Sequence, residues 1–322
     1  MPEQETARPG FLERLKKSRA LKISQAAWLV LVACFVAWYF SRNFAELSRY
    51  AFHPRLGWLA AALALATLRR LIGGIRCVDI ALYPSTPWTR RNVFGLLSAY
   101  FISGLAVYIP GNVWFIANRI YLTQKQGLTT MKSSLALAYE MGLNAWTALV
   151  LGSFAGIGLL VKGKLTLGFL LAAFVVLSFF LFHEKTVNAV LVRVNRRLRR
   201  PHSPVSIKPV WASRVLGWSF LLWTVGGLSL VCVLKAFCPE VPANPVYVTS
   251  ALSLAWVIGF LTPWAPSGLG IQEGLLVWFL SAYPAPVPLI AAVCLRLMYV
   301  FEDVFWASLV LMFGNRQSLK RT

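Results

Sequence analysis

Acidic residues are scarce in this sequence: Asp and Glu together number 11, against 32 Lys and Arg. Charge of either sign is also low, at 13% of the residues, where soluble globular proteins carry about 25%. Hydrophobic residues make up 58% of the chain. This balance excludes an ordinary soluble domain, because so much apolar surface needs lipid as well as a protein core to cover it.

Metal-binding and catalytic signatures are missing as well. The five cysteines include no C-x-x-C pair, and the three histidines (His53, His183 and His202) have no metal-ligand spacing. The sequence contains no Walker A, G-x-S-x-G or H-E-x-x-H motif. We therefore expect no metal site and no cofactor, and a protein that is not an enzyme.

Long apolar runs recur along nearly the whole chain. A helix that spans a membrane needs about 20 mostly apolar residues. The sequence therefore predicts an all-α integral membrane protein with about six spanning helices. The first run is interpreted as a retained helix, because the residues after it make a poor signal-peptide cleavage site. The predicted spans are 24–41, 57–83, 133–160, 165–183, 214–236 and 287–313.

Two further apolar stretches, 92–118 and 248–283, are interrupted in their middle by proline and glycine. Proline removes a helical hydrogen bond and glycine permits a sharp turn. Backbone freed in this way cannot face hydrocarbon, so it must be buried in protein or line a watery cavity. We predict two re-entrant hairpins. The predicted breaks are at Pro110 and Gly111 in the first stretch, and at Pro263, Pro266, Gly268 and Gly270 in the second.

The net charge of +21 does not indicate a nucleic-acid-binding protein, because the basic residues lie in short stretches between apolar runs. Lys and Arg gather in this way in the cytoplasmic loops of membrane proteins. We therefore place the tails 1–23 and 314–322 and the loop 184–213 in the cytoplasm of a bacterial-type cell. The multi-pass domain over 24–313 then lies in the inner membrane.

The order of spans and breaks favours an inverted repeat. Residues 24–160 and 161–313 each contain two spans, a broken hairpin and a third span, in opposite orientations. Paired broken segments of this kind point to the midplane site of a transporter. The alternative is that any protein with six spans can be divided into two similar halves.

Charged residues inside the apolar stretches are the first candidates for a functional site, because their insertion is costly. We expect Glu140 to pair with Arg296 across the two halves. The alternatives are that such pairs only hold the helices together, and that Arg119 anchors the chain at the lipid headgroups. Arg69, Arg70 and Arg76 are expected at the cytoplasmic headgroup level. The charged candidates are Arg119, Glu140, Glu273, Arg296, Glu302 and Asp303.

These arginines suit a phosphate group, because a guanidinium offers it a planar pair of donors. Helix N-termini at the breaks would add free N–H groups, and Gly268 and Gly270 would let backbone approach a ligand. Asn112 could bind a headgroup or satisfy freed backbone. Glu273 either contributes to the same site or caps the helix that follows the second break.

The motifs together resemble a known family. Its marks here are the run Tyr-Ile-Pro-Gly-Asn-Val-Trp-Phe-Ile-Ala-Asn-Arg from Tyr108 to Arg119, then Glu140, the motif Pro-Ser-Gly-Leu-Gly-Ile-Gln-Glu ending at Glu273, and the helix of Arg296. They resemble the flippase-like transmembrane region of lysylphosphatidylglycerol synthases. The resemblance implies a membrane unit that moves lipids or lipid-linked headgroups between leaflets. We expect a stand-alone member, without the cytosolic aminoacyl-transferase domain of the full synthases.

The resulting hypothesis is a lipid translocase. Its expected partners are membrane lipids, namely an anionic or aminoacylated phospholipid or a polyprenyl-phosphate-linked headgroup, and no nucleic acid. One alternative is an integral membrane transferase that acts on lipid-linked substrates. A second alternative is a membrane scaffold that presents lipids to a separate lipid-modifying enzyme.

Overall fold

The computed structural model describes residues 54–84, 86–108, 113–160, 188–189, 192, 207–262, 265 and 268–318. In this part of the chain the secondary structure is entirely helical, which confirms the predicted all-α fold. The predicted spans 24–41 and 165–183 lie outside the described residues. The elements are α1 (Leu56–Leu82), α2 (Arg90–Gly104), a 3-10 turn (Leu105–Tyr108), α3 (Val113–Gln124), α4 (Thr130–Leu160), α5 (Pro209–Phe237), α6 (Pro245–Phe260), α7 (Ile271–Phe279) and α8 (Val287–Ser318).

Each of the other four predicted spans coincides with a long helix. Within the described residues, three helices are long and apolar enough to cross a membrane, over Leu56–Leu82, Thr130–Ser153 and Pro209–Phe237. Helix α8 is longer still, with 32 residues. It differs in carrying three charged residues close together, Arg296, Glu302 and Asp303.

Both interrupted stretches are split into separate helices, as the proline and glycine positions predict. The first contains α2, the 3-10 turn and α3, and the second contains α6 and α7. Helix α7 has nine residues and α3 has 12, so at about 1.5 Å per residue neither crosses the ~30 Å hydrocarbon layer alone. That each stretch returns to the membrane face from which it enters stays a prediction.

Local capping fixes where the broken helices begin. The side chain of Asn244 accepts hydrogen bonds from the backbone N–H groups of Val246 and Tyr247, at 3.0 and 3.3 Å. Pro245 follows at the first helical position, where its missing N–H costs nothing. Thr89 starts α2 in the same way, since its hydroxyl accepts from the N–H of Asn92.

Helices α1 and α5 pack along each other at the centre of the described bundle. Small residues permit the close approach: Ala62 and Ser229 are fully buried, and the Ser229 hydroxyl donates to the Ala62 carbonyl at 2.8 Å. Around this pair, α2 contacts α8 and α6 contacts α4. These contacts repeat one pattern in the two predicted halves, although the division into halves stays a prediction.

The end of α1 is fastened to the start of α5 by a buried carboxylate. Asp79 accepts two hydrogen bonds from Arg214, at 2.7 and 2.8 Å, and one from the indole of Trp211 at 3.2 Å. The Trp211 ring stacks on Tyr83 with centroids 3.9 Å apart. This junction accounts for a buried acid that the sequence analysis did not single out.

Candidate functional site

A cavity of about 260 Å³ lies among the helices. Five arginines and four carboxylates line it, so its wall carries one more positive than negative charge when all are ionised. They come from five helices that are far apart in sequence: Arg69, Arg70 and Arg76 on α1, Arg119 on α3, Glu140 on α4, Glu273 on α7, and Arg296, Glu302 and Asp303 on α8.

Glu140 is shared by two buried arginines. Its carboxylate oxygens lie 3.6 Å from Arg76 and 3.7 Å from Arg119. The predicted Glu140–Arg296 pair is wrong, because Arg296 pairs with Glu273 at 2.5 Å instead. Helix α1, which the prediction left out of the site, supplies Arg76 as a partner of Glu140. Arg296 meanwhile reaches the start of α7.

Arg119 is held entirely by protein groups. It is 3% exposed, so it is not a headgroup anchor in contact with the surface. Its Nε donates to the Ser103 hydroxyl at 2.6 Å, and its Nη1 donates to the Cys77 sulfur at 2.8 Å. The Tyr100 ring lies 4.6 Å from the guanidinium carbon. These contacts join α1, α2 and α3, so Arg119 links the helices on the two sides of the first break.

Glu273 caps the helix that follows the second break. One of its carboxylate oxygens accepts from the backbone N–H of Gly270 at 2.7 Å, and the other accepts from Arg296. The capping role that the sequence allowed is therefore present, together with an ion pair. Through this pair, α8 holds the start of α7 in place.

Asp303 performs the equivalent task near the first break. It forms an ion pair with Arg70, and the Tyr108 hydroxyl donates to its other oxygen at 2.6 Å. Tyr108 ends the 3-10 turn directly before the break. Helix α8 thus fixes the elements beside both breaks, through Asp303 and Arg296.

Glu302 is held by neutral donors. The Thr67 hydroxyl donates to it at 2.5 Å, and the Trp306 indole donates at 2.8 Å. No arginine or lysine among the described residues lies within 4.0 Å of this carboxylate. The buried negative charge of Glu302 therefore depends on two hydrogen bonds.

Replacing Thr67 by Val should lower the free energy of unfolding by about 2 kcal/mol, because a hydrogen bond to a buried charge is lost at nearly constant volume. Chemical denaturation in detergent micelles measures this change. The control is Thr224→Val on α5, where an exposed hydroxyl bonds only to the Phe220 carbonyl. Equal stability of the two variants would contradict the role assigned to Thr67.

The structure brings seven of the candidate residues named from the sequence to this cavity. Gly270 lies beside the cavity, as the residue that precedes α7. Asn112, Pro110, Gly111, Pro263 and Pro266 lie outside the described residues. The predicted candidates that line the cavity are Arg119, Glu140, Gly268, Glu273, Arg296, Glu302 and Asp303.

Sequence reasoning missed the arginines of α1. Arg69, Arg70 and Arg76 were expected at the headgroups, but all three line the cavity and Arg76 is 3% exposed. A signal was available, since Arg69 and Arg76 are seven residues apart and so lie on one face of the helix. Tyr108, Tyr299 and Cys77 carried no comparable signal, because neutral residues of these types are common in apolar helices.

Comparison with known proteins gives one finding. The family model described as Lysylphosphatidylglycerol synthase TM region matches residues 25–304, which include every residue that lines the cavity. No curated protein matches the chain.

Proposed function

The chain belongs to the family of lysylphosphatidylglycerol synthase transmembrane regions, and from this membership we propose that it moves lipid headgroups between the leaflets of a membrane. The family points to a membrane protein of lipid modification or translocation. We favour translocation without covalent change of the lipid. The observation that carries this choice is a cavity inside the helix bundle whose wall is rich in arginine.

The size of the cavity supports a site for headgroups. Pockets that enclose drug-sized ligands have about 300–1,000 Å³. At about 260 Å³, this cavity is too small for a whole phospholipid but suits a phosphate ester with a small polar substituent. The acyl chains would stay in the surrounding lipid while the headgroup passes through the protein.

The charge of the wall supports an anionic headgroup. Arg76 and Arg119 share the single carboxylate of Glu140, which leaves this group of three residues with one excess positive charge. In an environment of low dielectric constant, such an excess attracts an anion strongly. Glycine at position 268 lets backbone line the cavity as well.

The proposal includes a topology. The protein would reside in a bacterial inner membrane with both termini in the cytoplasm. The two broken stretches would be re-entrant, one from each face, with the breaks beside the cavity. Transport would be passive or coupled to the movement of an ion, and would not use ATP.

Liposomes that contain the purified full-length protein test the proposal. Fluorescent phosphatidylglycerol and phosphatidylethanolamine are placed in both leaflets, and dithionite is added to quench the outer leaflet only. We expect the wild-type protein to make the inner-leaflet anionic lipid accessible. Arg296→Gln and Arg119→Gln each remove one positive charge from the cavity wall and should slow this exchange by at least about tenfold.

The matched control is Arg90→Gln, at the exposed start of α2, which should exchange lipid like the wild type. A wild-type protein that moves neither of these lipids, nor a polyprenyl phosphate, would overturn the proposal. It would redirect attention to a transferase or to a scaffold for a separate lipid-modifying enzyme.

A further inference from the structure

Arg69 stands apart from the other arginines of the cavity. Arg70, Arg76, Arg119 and Arg296 each have a carboxylate within 4.0 Å, whereas Arg69 has none among the described residues. Its Nε is buried and has no hydrogen-bond partner. A buried guanidinium donor without an acceptor is costly, so its presence indicates an acceptor that the protein itself does not supply.

A tyrosine hydroxyl in the same condition lies beside it. The guanidinium carbon of Arg69 lies 4.5 Å from the ring centroid of Tyr299, and the Tyr299 hydroxyl is also buried without a partner. Both residues line the cavity. Two unsatisfied polar groups on neighbouring helices, α1 and α8, thus converge on one place.

The surrounding helices make room for this arrangement. A side chain at Gly226 on α5 would place its Cβ 3.0 Å from Cδ of Arg69. A side chain at Gly104 would collide with the guanidinium of Arg70. Both arginines therefore pack against glycines. A larger residue in place of either glycine would occupy the space that the arginine side chain fills.

Arg70 adds donors but no net charge. Its Nε is buried without a hydrogen-bond partner, and its charge is balanced by the ion pair with Asp303. The subsite formed by Arg69, Arg70 and Tyr299 therefore carries one net positive charge. It offers N–H donors from two guanidinium groups and one hydroxyl, which is the donor set that suits a phosphate.

We infer that Arg69, Arg70 and Tyr299 form a subsite for a phosphodiester with a single negative charge. This inference rests on the proposed function and names the class of headgroup that the cavity selects. A phosphomonoester with two charges would leave one negative charge unbalanced in a buried place. A zwitterionic headgroup would also bring an ammonium group. The nearby carboxylates of the cavity, Glu302 and Asp303, already accept from Thr67 and Trp306 and from Arg70 and Tyr108.

Native mass spectrometry of the full-length protein in detergent tests the selectivity. Phosphatidylglycerol, phosphatidylethanolamine and phosphatidic acid, all with the same acyl chains, are titrated at about pH 8, where a phosphomonoester carries two charges. We expect the wild-type protein to bind phosphatidylglycerol at least about tenfold more tightly than either competitor. Equal binding of the three lipids would overturn the inference.

Variants locate the subsite. Arg69→Gln should weaken phosphatidylglycerol binding by about tenfold or more, and Tyr299→Phe by a smaller factor, because it keeps the ring and removes only the hydroxyl. Tyr299→Phe also guards against misfolding, since its volume is nearly unchanged. Arg91→Gln, exposed on α2, is the control and should bind like the wild type. Unchanged binding by both Arg69→Gln and Tyr299→Phe would overturn the assignment.

The same protein preparations separate this inference from the proposed function. If the wild type exchanges lipid in liposomes but Arg69→Gln exchanges it equally fast, the subsite is wrong and the translocase proposal stands. If the wild type binds phosphatidylglycerol through Arg69 but moves no lipid, the subsite stands and the translocase proposal fails.

Discussion

Replacing Glu140 by Gln is expected to lower the free energy of unfolding by about 3–5 kcal/mol, the usual cost of removing one partner from a buried ion pair. Glu140 is the only carboxylate that the described residues place within 4.0 Å of Arg76 or Arg119. Both arginine side chains are 4% exposed, so the change leaves two buried cations without a carboxylate. Their remaining acceptors are neutral side chains: Asn144, Ser219, Ser103 and Cys77.

The amide keeps the size of the side chain, so the effect isolates the charge. Thermal or chemical unfolding in detergent measures it, and Glu240→Gln is the matched control. Glu240 is 89% exposed and lies 3.9 Å from Arg55, a surface pair that contributes about 0–1 kcal/mol. Similar stabilities of the two variants would contradict a structural role for the Glu140 charge.

A double variant tests whether the instability of Glu140→Gln comes from the arginines that it leaves unpaired. Adding Arg76→Met to Glu140→Gln removes one of the two cations that the first change leaves unpaired. Part of the lost stability should return, because an apolar side chain of similar volume often replaces a buried charge without penalty. A double variant less stable than Glu140→Gln alone would show that the hydrogen bonds of Arg76 to Asn144 and Ser219 dominate.

The helices could be predicted from the sequence because length and hydropathy mark apolar spans directly. The ends of the helices could not be predicted in this way. Hydropathy marks the residues that lie in lipid, whereas helical hydrogen bonding continues beyond the lipid boundary. Helix α5 begins at Pro209, five residues before the predicted start, since proline suits the first helical position and the polar first turn can lie outside lipid. Helix α8 likewise continues to Ser318.

The sequence predicted which charged residues form the site, but not which of them pair with each other. An ionisable residue in an apolar stretch is conspicuous, and Arg119, Glu140, Glu273 and Arg296 all line the cavity. Which arginine meets which carboxylate depends on the rotation of each helix about its axis, and hydropathy contains no information on rotation when a helix is apolar on all sides. The Glu140–Arg296 prediction failed for this reason.

Replacing Gly268 by Ala should lower the free energy of unfolding by about 3 kcal/mol and should also impair lipid exchange. Gly268 has a φ of +66°, a left-handed conformation that costs other residues about 1–2 kcal/mol. A Cβ there would lie 2.9 Å from the Cα of Gly259, and overpacking of this kind costs about 1–3 kcal/mol more. The contact is backbone against backbone, so no side-chain rotation relieves it.

Gly268 thus serves first to let the second break pack against the end of α6, a close approach within the chain itself. The control is Gly274→Ala in α7, six residues further on, where a Cβ would meet nothing within 4 Å. Alanine there should be neutral or stabilise the helix by up to about 1 kcal/mol, because glycine is the weaker helix former. If Gly268→Ala unfolds at the same denaturant concentration as Gly274→Ala, the packing of the break does not depend on this glycine. If Gly268→Ala is destabilised as expected, lipid exchange is then measured for the fraction of this variant that stays folded. Slower exchange by this fraction would show that the cavity needs the break in this position.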